Sequence, residues 1–255
     1  MGYRHETTSL AGLVQLLAAN LLPHGFYFYV TGRVPTGKAP AAIDEKLIEK
    51  YGCNLSRTER SRRKQAGTAS VHYLRCDSFW ILIATHGRHR FFDEEGDRVK
   101  DLRRVPLRVG DYSLTVREGD YLKKSEEDVV PRRDGRPRAR VLICRERYKE
   151  LRAFFLDIAA HRSEEKLRAA FFGIPFEPYA PIRKQLLNLL RLVNEERKAA
   201  GLSRISPECL RYRRRIVRPF DDDVVIPNTP DAPQKMAESH YGERGNFSLE
   251  LVGNQ

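Results

Sequence analysis

The sequence predicts an α+β protein, with a mixed or mainly antiparallel sheet in the first half, a helical layer after it and a disordered acidic tail at the C-terminus. Three observations predict it. Two apolar runs, SVHYLRC and FWILIATH, meet at Asp77-Ser78 and read as a hairpin. Beyond residue 146, apolar residues recur at helical spacing. From Pro219 the chain reads DDDVVIPNTPDAP, acids and prolines without periodicity.

The elements follow in order. Thr8-Ser9 cap a helix running to about Leu22, with Leu10, Leu13, Val14, Leu17 and Leu21 on one face. Pro23-His24-Gly25 ends it, and Phe26 to Thr31 reads as a buried strand. Ala41 to Tyr51 is a second helix, with Ile43, Leu47 and Ile48 inward and Gly52 as its stop. The hairpin comes next. A turn at Asp77-Ser78 pairs His72 with Ile83 and turns His86 to the opposite face. Further strands are expected at Arg90–Phe92, Val105–Val109, Tyr112–Arg117 and Arg140–Cys144, with a turn at Gly110-Asp111. Asp120 to Arg138, rich in charge, proline and glycine, reads as an exposed loop. Three helices complete the chain. Arg147–Ala160 buries Tyr148, Leu151, Phe155 and Ile158; a short helix is capped by Ser163; the third starts at Pro181 and ends before Gly201. In domain terms, residues 1–145 form a basic sheet-containing region, 146–218 a helical region packed on it within one domain, and 219–255 the tail.

Charge points to a partner. The whole chain carries +12, with 46 Lys and Arg against 34 Asp and Glu. Residues 219–255 hold seven acids and two bases, which leaves +17 on residues 1–218. Such a body attracts polyanions, and nucleic acid is the commonest of them. Two runs concentrate the cations. One holds Arg57, Arg60, Arg62, Arg63 and Lys64; the other holds Arg211, Arg213, Arg214 and Arg215 around Tyr212. Arginine forks match phosphate oxygens, and a tyrosine stacks on a base. Arg33 and Lys38 are further phosphate contacts. Arg103, Arg104 and Arg108 lie on or beside strands. The acidic tail follows the second run directly and is expected to compete for it with nucleic acid.

Two local patterns lead elsewhere. Gly32-x-x-x-x-Gly37-Lys38 has the skeleton of a P-loop, but Ala39 stands where the magnesium-binding hydroxyl belongs and Pro40 removes a backbone N–H. The glycines and prolines are those of a stiff turn. LAGLV, Leu10 to Val14, resembles the opening of the LAGLIDADG homing endonucleases, yet Gln15 follows it and no acid lies between Thr7 and Ala42.

Catalytic groups are sparse. His86, His89 and Tyr148 are the candidates for chemistry. Two histidines with a helical tyrosine resemble, in kind, the HUH-class nucleases and transposases, and that resemblance implies cleavage of DNA or RNA as a rival activity. The spacing departs from the pattern, because Gly87 and Arg88 separate the histidines. Cys53, Cys76, Cys144 and Cys209 form no Cys-x-x-Cys pair, so no thiolate metal site, and no cofactor, is expected. No signal peptide or membrane span is expected, and reduced thiols make the cytoplasm the expected location. The first reading is thus a nucleic-acid-binding protein, DNA or RNA, serving a mobile element, replication or defence. An interaction scaffold that uses the helical region against a protein partner is the third.

Overall fold

The computed structural model describes residues 3–118, 122–123, 132–133 and 135–221. It has antiparallel sheets in the first half and helices after them. Helix α1 (Leu10–Leu16) is capped by Ser9, whose hydroxyl accepts the Gly12 N–H. It widens into a π-helical turn at Leu17–Leu21 and closes on a 3-10 turn at Leu22–His24. Strand β1 (Phe28–Arg33) starts two residues later than its apolar run. Helix α2 (Pro40–Tyr51) stops at Gly52, which has φ +56. Helix α3 (Arg57–Gln65) precedes the hairpin of β2 (Val71–Cys76) and β3 (Phe79–Ala84). The expected register holds: His72 lies opposite Ile83.

Short elements link this hairpin to a second sheet. Helix α4 (Arg90–Glu95) and β4 (Lys100–Asp101) precede β5 (Leu107–Val109) and β6 (Tyr112–Glu118). Gly110 takes the left-handed conformation in the turn between the last two. Strands β7 (Leu122–Lys123) and β8 (Arg132–Arg133) pair with each other, and β9 (Pro137–Ile143) joins β6. The first sheet has the order β2-β3-β1-β4 and the second β5-β6-β9, antiparallel throughout. Helices α5 (Arg145–Ile158), α6 (Glu164–Phe172) and α7 (Ala180–Ala199) follow.

The pleat of the first sheet divides its side chains between two clusters. Leu74, Cys76, Ile81 and Ile83 face α1. This cluster runs on through the second sheet into Phe155, Phe171, Leu186 and Val193 of the helices. Phe155 and Phe171 stack at 4.2 Å between ring centres. On the opposite face Val71, Tyr73, Leu82 and Ala84 pack with Val30, Tyr51, Cys53 and Phe91. Each fully buried side chain of this size contributes about 1.5–3 kcal/mol.

Four expectations need correction. Arg90–Phe92 is the first turn of α4, not a strand, because the His89 ring accepts the Phe91 N–H and starts a helix that buries Phe91. His89, a candidate for chemistry, is thus the cap of this helix. The expected loop from 120 to 138 gives way to β9 from Pro137 and to the β7–β8 pairing; Gly135 and Arg136 are irregular and exposed as expected, and residues 120–121, 124–131 and 134 lie outside the described ones. Tyr148 and Ile158 are half-buried. The expected tail also begins late: Thr8 donates its N–H to the Pro219 carbonyl, and Arg4 pairs with Asp221. Residues 222–255 lie outside the described ones.

Candidate functional site

The first basic run is an exposed helix. Helix α3 buries no residue and has no apolar face, so its ends hold it. Ser56 and Glu59 form a capping box: the Glu59 N–H donates to Ser56 Oγ at 3.2 Å, and the Ser56 N–H donates to Glu59 Oε2 at 2.9 Å. That second bond, the main cause, holds the Glu59 carboxyl below its ordinary range. Arg62, Arg63 and Lys64 occupy the last turn, where cations suit the helix dipole. Arg60 donates one N–H to the Leu55 carbonyl. Next to the helix, the backbone N–H of exposed Arg88 bonds to the Gly67 carbonyl.

The second run divides by role. Leu210 is buried and Arg211 half-buried, its guanidinium donating to the carbonyls of Ile174 and Phe176. Burial pulls the Arg211 pKa down. Arg211 is thus a clamp on the connector before α7. Tyr212 is 51% exposed, and its hydroxyl donates to the Pro207 carbonyl. Arg213, Arg214 and Arg215 are exposed. Arg214 lies 4.8 Å from the Tyr179 ring centre, and the Arg215 N–H donates to Glu177.

The chain's first residues lie against β2 and against the segment that follows the second run. Tyr3 donates its hydroxyl to the Tyr73 carbonyl, and Glu6 bridges to Arg75 alongside β2. Past the second run, Val217 exchanges hydrogen bonds with Gln15, and Arg4 pairs with Asp221. Arg4–Thr7 therefore lie between β2 and Pro219–Asp221. Near the other end of β2, burial, aided by the nearby Arg60 charge, lowers the His72 pKa to about 4, so this histidine is neutral at physiological pH.

Arg33 and Lys38 are exposed at the end of β1 and in the turn after it. The P-loop skeleton has separate structural duties. A Cβ on Gly32 would come within 2.2 Å of the Trp80 ring, and Gly37 has φ +82. Both neighbours of β1 are antiparallel to it. Ala39 gives α2 no side-chain cap.

The candidate catalytic residues lie in different surroundings. His86 is exposed beside the Phe28 ring, and His89 caps α4. Tyr148 donates to the Gln185 carbonyl between α5 and α7, and burial raises its pKa. Among the described residues no group of three or more His, Cys, Asp or Glu is placed to hold a metal ion.

Sequence reasoning missed two groups. Arg183 and Lys184 on α7 share a cleft with Tyr212; their position off the apolar stripe of α7 was the available signal. Arg117 and Arg140 share another cleft with Arg103, which is held bidentately by Asp101 over the Tyr27 and Phe28 rings. They come from strands paired in the fold but far apart in sequence. No helix among the described residues is long and apolar enough to cross a membrane. Compared with known proteins, the chain matches no family model, and no curated protein matches it.

Proposed function

We propose that this chain binds nucleic acid, chiefly through the phosphate backbone. One observation supports the reading above others. Arg33, Lys38, Arg57, Arg60, Arg62, Arg63, Lys64, Arg213, Arg214 and Arg215 have no side-chain ion pair among the described residues. The paired cations are elsewhere, as in Lys50–Glu94 and Arg108–Glu146. Cations without a carboxylate partner can meet phosphate oxygens, each releasing counterions on contact. Four buried, unpaired cysteines accord with the reducing cytoplasm in this reading.

An electrophoretic panel of single- and double-stranded DNA and RNA, with and without magnesium, tests the proposal. The expected result is retardation at low salt that fades as salt rises. Failure to retard any strand contradicts it, and magnesium-dependent cleavage would favour the nuclease reading. A protein partner on the helical layer is the second reading, favoured by Phe154 of α5 and Phe172 of α6, which are 49% and 53% exposed.

A further inference from the structure

We infer that the cleft between α7 and Leu210–Tyr212 receives an unpaired nucleobase, which makes single-stranded nucleic acid the preferred ligand. The inference rests on the nucleic-acid reading and names its substrate class. Ala180, Arg183, Lys184, Leu186 and Leu187 line the cleft from α7; Leu210, Arg211 and Tyr212 line it from the other side. Its volume is about 260 Å³. That is just below the ~300 Å³ at which small-molecule sites begin, so it suits one ring rather than a whole cofactor.

The chemistry of the walls selects the occupant. Leu187 is 40% exposed and gives an apolar side. Tyr212 is half-exposed, and no ring or cation lies over it among the described residues. Its hydroxyl is tied to Pro207, while buried Leu210 and the Arg211 clamp fix the backbone before it. The ring is therefore held in place before any ligand arrives. No carboxylate lines the cleft, whereas Arg183 and Lys184 do, and Arg213 and Arg214 follow Tyr212 directly. Apolar walls with a fixed aromatic ring suit a base, and a cationic rim suits the phosphates on either side of it. A paired base inside a duplex presents no free face to such a ring.

The test compares a short oligodeoxyadenylate with an abasic strand of the same length, which keeps the phosphates and lacks the bases. Fluorescence anisotropy is read for the wild-type protein, Tyr212→Phe and Tyr212→Ala, with circular dichroism confirming that the variants fold. The wild-type protein and Tyr212→Phe are expected to prefer the base-bearing strand by about tenfold, and Tyr212→Ala to lose the preference. Equal affinity of the wild-type protein for both strands overturns the inference but leaves phosphate binding standing. An unchanged preference in Tyr212→Ala overturns the role of this cleft. Failure of both strands to bind overturns the underlying reading as well.

Discussion

At the residue scale, Asp44 shows how this basic chain keeps its sheet and first helices together. The side chain is almost wholly buried on α2, where an unpaired carboxylate would be strongly unfavourable. Arg75 on β2 donates to both of its oxygens through Nε, at 2.9 and 3.0 Å. Tyr73 donates to it at 2.6 Å, and the His5 ring lies 3.1 Å away. Burial alone would raise the Asp44 pKa, but the bonds from Arg75, Tyr73 and His5 outweigh it and hold the carboxyl below its ordinary range. A carboxyl with a depressed folded-state pKa adds stability above its unfolded pKa and loses it as pH falls through the folded value. Asp44→Ala is expected to destabilise the fold by about 3–5 kcal/mol at neutral pH, because it leaves the buried Arg75 charge with Glu6 and the Asp77 carbonyl in place of its buried carboxylate. Denaturant melts at pH 7 and in acid check this. The difference between variant and wild type should shrink below the ordinary carboxylate range, and a difference independent of pH would refute it. Neither Asp44 nor Arg75 stood out in the sequence. Asp44 sits beside the apolar stripe of its helix, and Arg75 looks like any charge in a strand; only the packing of α2 on β2 brings them together.

At the element scale, α3 is the one α-helix among the described residues that buries no side chain in the core. It has no buried side chain, so helicity rests on its capping box and on cations in its last turn. Ser56→Ala is expected to remove about 1 kcal/mol of local helix stability with little effect on global unfolding. Amide hydrogen exchange should find α3 less protected than α2, less still in the variant, and more protected once an oligonucleotide is added. Protection in α3 equal to that in α2, unmoved by the ligand, would contradict its role as a phosphate-binding surface element. The same physics explains what the sequence made legible. The hairpin and α7 were readable because apolar periodicity and burial coincide there. Helix α3 offers no periodicity to read, only its caps. Arg90-Phe91-Phe92 resembles a strand until His89 is seen to cap it. The arginine runs were visible as composition, but Arg211 is turned to structural use by carbonyls that no local pattern reveals.

At the scale of the whole molecule, charge and fold are arranged around one another. Ion pairs run along α5 to α7, as in Arg147–Glu150 and Arg191–Glu195, along the β2 edge, as in Arg75–Asp44, and at scattered sites such as Lys50–Glu94, Arg103–Asp101 and Arg218–Asp221. The cations of α3 and of Arg213–Arg215 take part in none of the ion pairs among the described residues. The central claim is that these side chains meet phosphates. The dependence of binding on salt tests it most directly, since each phosphate contact adds about 0.7–0.9 to the slope of log affinity against log salt. For the quadruple variant Arg57→Ala, Arg62→Ala, Arg63→Ala and Lys64→Ala, the slope is predicted to fall by about three to three and a half units relative to wild type. A slope identical to that of the wild-type protein would contradict the account.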